Sequence, residues 1–211
     1  MRIGIDATLL REDRLTGLER YTINLIESLL SIDDENLYVI FFKKKIHSRL
    51  EKYKSRYKAA VSPFKNRIIT DQLWLPYVAK KERLDIFHCP AFPSPLLYFK
   101  KTVLTIHDAT LWKYPDTISC GGKYYYKPLY PISINKSSKI ITISNSSKKD
   151  LIYYLNIIPS KIKVTYLGLD DIFTISKPTS FESLREKFGI QGAYILTVGT
   201  LEPRKNIKIL I

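Results

Sequence analysis

Acidic side chains are in short supply here: 20 Asp and Glu stand against 34 Lys and Arg, a formal net charge of +14 over 211 residues. Such an excess attracts anionic partners (nucleic acid, phosphorylated small molecules, acidic membrane faces) without choosing among them. Cysteine is rarer still. Cys89 and Cys120 are the only two, and their spacing argues against a disulfide framework or a zinc site and for a reducing cytosol. Long apolar runs are also missing: none approaches the ~20 residues that span a bilayer. The opening Met1-Arg2-Ile3-Gly4-Ile5-Asp6 has no apolar core of signal-peptide length. A cytoplasmic chain is expected, soluble or at most peripheral at the inner face of a membrane. Neither a G-x-G-x-x-G fingerprint after the first apolar run nor a P-loop is present, which leaves a dinucleotide site unsupported. Polar low-complexity tracts are absent and aromatics plentiful (15 Tyr, 9 Phe, 2 Trp), so disorder is a poor reading.

What is there is an alternation of short apolar runs with helical patterns. Ile3-Gly4-Ile5 leads to Leu18, Tyr21, Leu25 and Leu29, spaced three or four apart as on one helical face. Tyr38–Phe42, Asp85–Phe87, Thr102–Ile106, Ile140–Ile143, a short run closed by Val164, and Tyr194–Val198 read as strands. Helical segments carry Leu73, Leu75, Val78 and Ala79, then Leu151, Ile152 and Leu155. Continuous apolar strands between amphipathic helices predict an α/β fold, a Rossmann-like doubly wound parallel sheet covered on both faces. Thr16-Gly17-Leu18-Glu19 reads as a capping box, and Ser147-Lys148-Lys149-Asp150 as a second with a shorter reach. Aperiodic turn residues after Asp170 place a domain boundary at 175/176. A helix from about Phe181 to Phe188, stopped by Gly189, and the strand Tyr194–Val198 follow, and the pattern breaks off at Leu210-Ile211. Residues 176–211 are therefore expected to be a linker and the start of a further domain, incomplete and unable to close its own core.

Ligands of open parallel sheets bind at the carboxyl ends of the strands, and polar residues recur there: Asp6, His88, His107 with Asp108, and Ser144. His107 can donate to a substrate hydroxyl or to charge developing in a transition state, or it can serve structure alone, tied to a neighbouring carbonyl. His88, between Phe87 and Pro90, reads more as part of a packed turn. A metal site from His88, Cys89 and His107 lacks a fourth ligand and metal spacing, so none is expected. Gly17 either lets a phosphate or sugar approach the backbone or relaxes the turn before the helix. The basic cluster from Lys43 to Lys58 reads as a solvated helix-and-loop face, with attraction to anionic lipid or nucleic acid as the functional alternative. The aromatic run Tyr124-Tyr125-Tyr126-Lys127-Pro128-Leu129-Tyr130 suits a helix packed on the sheet better than a membrane interface.

Beyond periodicity, several motifs carry a family resemblance. Arg2–Ala7 with Thr16–Tyr21, Asp71–Pro76, Asp85–His88, Thr105–Asp108 with Tyr114-Pro115, Ile141–Ser144 with Ser147–Leu151, and Val198–Asn206 occur in this order along the chain. Together they resemble the GT-B glycosyltransferases of family 4, the acceptor-side domain at 1–175 and the opening of the donor-binding domain beyond it. The resemblance implies retaining transfer of a hexose, mannose among the candidates, from a nucleotide-diphosphate donor to a glycan or lipid-linked acceptor. It needs no metal or other cofactor. It also implies roles: His107 at the transferred sugar, Gly17, Asp108 and Ser144 at the substrates, and Arg204 and Lys205 balancing the diphosphate. Glu19 stands where members often have a second glycine, Leu167-Gly168 where many have Asn-Gly, and Thr200 where an arginine is frequent. The paired glutamates that bind the donor are not in the sequence, so the chain alone is expected to be inactive. The competing reading is a non-catalytic basic α/β module that binds nucleic acid or an anionic membrane surface. It rests on charge alone, and nucleic acid is not the expected partner.

Overall fold

The computed structural model describes residues 1–12, 15–91, 93–118, 120–170, 173, 180–199, 201–202 and 205–210, with the backbone alone at 120–123. Contacts divide the chain into two units, Met1–Tyr166 and Leu167–Ile211. Of the stretch around the predicted 175/176 boundary, residues 171–172 and 174–179 lie outside the described residues.

The first unit is built on a seven-stranded sheet: β1 (Arg2–Asp6), β2 (Leu37–Phe42), β3 (Tyr57–Val61), β4 (Ile86–Cys89), β5 (Thr102–Thr105), β6 (Lys139–Thr142) and β7 (Ile162–Val164). All pairings are parallel, in the order β3-β2-β1-β4-β5-β6-β7. Parallel neighbours need crossovers, supplied by α1 (Gly17–Ile32), a continuous helix made of α2 (Arg67–Ile69), a π-helical stretch Thr70–Trp74 and α3 (Leu75–Lys81), then α4 (Thr110–Lys113), α5 (Cys120–Lys136) and α6 (Asn145–Leu155). The period-2 alternation of a strand is visible in β2. Tyr38, Ile40 and Phe42 join Ile23, Ile26 and Leu50 in one core cluster, while Val39 and Phe41 join Leu75, Phe87, Leu104 and Ile134 in the other. Burial on both faces explains why these strands read as unbroken apolar runs.

The structure alters two readings in this unit and bears out a third. The basic stretch before residue 58 is not only a helix-and-loop face: a 3₁₀ segment Ser48–Arg56 runs into edge strand β3, whose Tyr57 is buried. Lysines on an edge strand mask its apolar character and protect it from stray pairing. The box at Thr16–Glu19 forms, the Glu19 carboxylate accepting from the Thr16 N–H at 2.7 Å. The second predicted box does not: Ser144 is the N-cap of α6, its Oγ accepting from Ser147 N at 3.0 Å, because Ser144 still holds the extended backbone of the strand end (φ −157°). Asp150 instead pairs with Lys113 at 3.0 Å.

In the unit Leu167–Ile211, α7 (Phe181–Phe188) is capped by Ser180 and stopped by Gly189 at φ 63°, a left-handed position that suits glycine. Tyr194–Val198 forms no strand, correcting the expectation. A strand needs a ladder partner, and no other strand occurs among the described residues of this unit. Ile195, Leu196 and Val198 are exposed, while Tyr194 stacks on Phe181 at 6.2 Å.

Candidate active site

The strand order reverses direction at β1: the chain builds outward through β2 and β3, then returns to place β4 on the other side of β1. Loops leaving β1 and β4 therefore part at their carboxyl ends, and a crevice opens where open α/β sheets bind ligands. A cleft of about 1150 Å³ lies there. Its walls come from the β1–α1 loop, the residues after β2, the start of the α2–α3 helix, the tip of β5 and α5.

At the floor is Asp6, the last residue of β1. One of its oxygens accepts from Thr8 N (2.9 Å) and Thr8 Oγ1 (2.7 Å), which fixes the direction in which the loop leaves the strand. Burial, reinforced by the negative charge of Asp71, pushes the Asp6 carboxyl up to about 6. Asp71, on the π-helical stretch, is also raised by burial, although Arg67 Nε holds it at 3.1 Å. Arg67 in turn lies over the Tyr126 ring at 5.8 Å. Lys43 enters from the end of β2, with burial lowering its ammonium below the usual lysine range. This polar floor gathers two carboxylates and two cations, with Arg67 and Asp71 in direct contact. The sequence marks Asp6 only as a strand end, and nothing in its periodicity brings Asp71, Arg67 and Lys43 to it.

His107 stands at the β5 tip, half-buried. Its Nε2 meets the Pro90 carbonyl at 3.0 Å. A carbonyl only accepts, so Nε2 carries the proton, and the neutral ring presents Nδ1 as an acceptor. Burial lowers the His107 pKa, which favours that neutral form. Of the two sequence readings of His107, a donor to substrate or a tie to a neighbouring carbonyl, the geometry contains the tie, to Pro90 O. The Tyr21 ring packs edge-on against the imidazole at 4.6 Å. The Tyr21 hydroxyl lies 3.4 Å from Thr105 Oγ1, which bonds His88 Nε2 at 2.9 Å. Burial depresses His88 to about 4, so it is neutral near pH 7.

The other predicted site residues fall in different places. Asp108 lines the cleft, with Oδ1 accepting from Thr110 N at 2.9 Å. Gly17 opens α1 between the cleft-lining Thr16 and Leu18, and no atom lies within 4 Å of where a Cβ would be. Ser144 is engaged as a helix cap and is not among the cleft residues. Lys205 is exposed in a 3₁₀ turn of the second unit, its N–H on Glu202 O at 2.9 Å; Arg204 lies outside the described residues. His88 and His107 turn to Thr105 and Pro90, and no group of three metal-ligating side chains occurs among the described residues. No helix among them is long and apolar enough to cross a membrane.

The family described as Glycosyltransferase Family 4 matches residues 15–172, most of the chain. Among curated proteins, O-antigen chain mannosyltransferase B of Escherichia coli is 24% identical, covering 93% of this chain and 55% of its own length. The O-antigen chain mannosyltransferase RfbU of Salmonella typhimurium is 29% identical over 56% of this chain and 29% of its own. Among solved structures, WaaG, a glycosyltransferase involved in lipopolysaccharide biosynthesis, aligns with a TM-score of 0.58 at 13% identity, over 90% of this chain and 52% of its own. HepE from Anabaena, in complex with UDP and glucose, aligns at 0.54 and 16%, over 90% and 50%. The chain thus spans about half the length of the first of these curated relatives and of the solved structures.

Proposed function

The chain belongs to glycosyltransferase family 4, with the fold of the N-terminal half of a GT-B enzyme, and we propose that it supplies the acceptor side of a retaining sugar transferase. In this reading the C1–O bond from a hexose to a nucleotide diphosphate breaks, a bond from C1 to an acceptor hydroxyl oxygen forms with the anomeric configuration kept, and the hydroxyl's proton leaves with the diphosphate. Mannose is favoured as the sugar because the curated relatives carry mannosyltransferase names. The acceptor is a glycan or a lipid-linked glycan, met at the membrane's inner face by a peripherally bound chain.

One observation carries the reading: the cleft at the switch point joins the start of α1, where the capping box occupies the Thr16 and Glu19 N–H groups but not those of Gly17 and Leu18, to the His107 imidazole. Free N–H groups of a helix start favour anionic ligands, and Gly17 leaves the backbone there uncovered. His107, through its neutral Nδ1, receives a sugar hydroxyl, and Asp108 adds a second acceptor. Ser144 is assigned to the substrates by resemblance, and Arg204 and Lys205 to the diphosphate leaving group, whose developing charge needs fixed cations.

Incubating the 211-residue chain with GDP-mannose or UDP-glucose and oligosaccharide acceptors should give transfer at background level, since the donor-binding glutamates of the family are not among its residues. Turnover like that of a complete enzyme would refute this. Saturation-transfer NMR with hexose oligosaccharides should show binding that His107→Ala abolishes; binding indifferent to that change would remove His107 from the site.

A further inference from the structure

The cleft has a second end, away from His107. It is walled by the β1–α1 loop on one side and by the chain leaving β2, Lys43 to His47, on the other. The two walls are tied together: the Glu12 carboxylate accepts from Ser48 N and from Ser48 Oγ, both at 2.8 Å. Beneath them Leu50 is fully buried, and Ile46 packs on the same core cluster.

His47 is held twice in this frame. Its carbonyl accepts from Leu50 N at 2.9 Å, and its Nδ1 accepts from Arg49 N at 3.3 Å. A ring nitrogen that accepts carries no proton, so the proton of the imidazole is on Nε2. That N–H is buried and has no hydrogen-bond partner, on a residue only 5% exposed. Several buried polar atoms lack a partner among the described residues, and His47 Nε2 is the one whose residue lines the cleft. A buried donor without a partner is costly, so an orphan in the wall of a ligand cleft points to a ligand atom that accepts.

Charge says what kind of ligand. Arg11, Lys43, Lys44 and Lys45 line this end of the cleft with Glu12. Glu12 is engaged by Ser48 and lies 3.9 Å from Lys45, while Lys44 and Lys45 are exposed. Lysine ammoniums act as point charges that suit a phosphate; a planar carboxylate is matched better by an arginine fork. Position says which substrate carries it. β2 and β5 are three strand spacings apart in the sheet, about 14 Å. In the transferase reading the hexose lies at His107, beyond the end of β5, and the diphosphate is bonded directly to that hexose. A group at His47 therefore belongs to the other substrate.

We propose that His47, Lys44 and Lys45 form an anion subsite that holds a phosphate on a sugar unit of the acceptor, remote from the hydroxyl that receives the hexose. His47 Nε2 donates to one phosphate oxygen, and the two ammoniums balance the charge. Placing the phosphate on the acceptor rests on the sugar-transfer reading; the subsite itself does not.

The test is ¹⁵N NMR of the histidine rings of the 211-residue chain, with affinities from calorimetry, against glucose 6-phosphate, inorganic phosphate, glucuronate, glucose and UDP. Glucose 6-phosphate should shift the His47 Nε2 resonance saturably and bind tightest, and glucose should leave that resonance in place. His47→Asn keeps an oxygen to cap Arg49 N but loses the donor. It should weaken glucose 6-phosphate binding about tenfold with the fold intact by circular dichroism. Lys44→Gln/Lys45→Gln should weaken it about threefold per lysine. Lys54→Gln/Lys163→Gln, equal in charge, exposed and outside the cleft, should not. Undiminished binding by His47→Asn, equal losses in the two lysine pairs, or a His47 resonance that no titrant moves would overturn the subsite. Inorganic phosphate or UDP binding there as tightly as glucose 6-phosphate would overturn its assignment to the acceptor. The His47 response is read without sugar transfer and should persist in His107→Ala, so failure here and failure of the transferase reading are separable.

Discussion

At the scale of single residues, Asp6 and His88 oppose each other in their dependence on pH. Asp6 is raised from 3.8 to about 6 by burial and by Asp71, so between those values the folded chain holds more protons than the unfolded one. Its contribution therefore falls as pH rises through that window. His88 is lowered from 6.5 to about 4 by burial, so the unfolded chain holds more protons over its window, and stability falls as pH drops. The two slopes largely cancel in the native chain. Asp6→Asn should remove one of them. Urea unfolding of this variant should show stability at pH 8 higher by up to about 2–3 kcal/mol, and a steeper loss than the parent between pH 6 and 4. A parallel pH profile in the two proteins would mean that Asp6 ionises normally.

At the scale of elements, strand ends and helix starts separate structural from functional roles. Ser144 caps α6 through the Ser147 N–H, and Ser144→Ala should cost about 1 kcal/mol of stability, measured by chemical denaturation. Two glycines contrast sharply. A Cβ on Gly4 would lie 2.3 Å from Leu84 Cδ1 and 2.9 Å from Phe87 Cδ2 in the middle of the sheet, so Gly4→Ala should destabilise the fold by about 1–3 kcal/mol. Gly17→Ala meets nothing within 4 Å and should leave the thermal midpoint unchanged. Any loss of ligand binding in that variant then reports on the cleft and not on folding. A midpoint drop in Gly17→Ala comparable to that of Gly4→Ala would contradict the open environment.

At the scale of the whole molecule, both core clusters are made of residues that precede Tyr166. A chain ended at Tyr166 should therefore unfold cooperatively at the Tm of the full chain, as followed by circular dichroism; a clear drop would show that the remaining segment contributes to that core. Much of the fold was legible beforehand. Apolar runs such as Tyr38–Phe42 announce a strand buried on both faces, and the Thr16–Glu19 box announces α1. The edge strand β3 was not, because an edge strand only partly buried need not be apolar throughout and Lys58 breaks its run. Tyr194–Val198 misled in the opposite sense: apolar residues permit a strand, and only a partner makes one.

The amino-acid order by itself determined the parallel α/β class, the family and the polar tips of the strands, because each depends on residues near one another in sequence. Tertiary structure alone decided which tips meet. It brought Asp6 to Asp71 across 65 positions of the sequence, gave one nitrogen of His107 to Pro90, and left Ser144 at a helix start away from the cleft. Periodicity says which side of an element is buried; only the strand order and the crossovers between distant segments say what that side, or its opposite, will face.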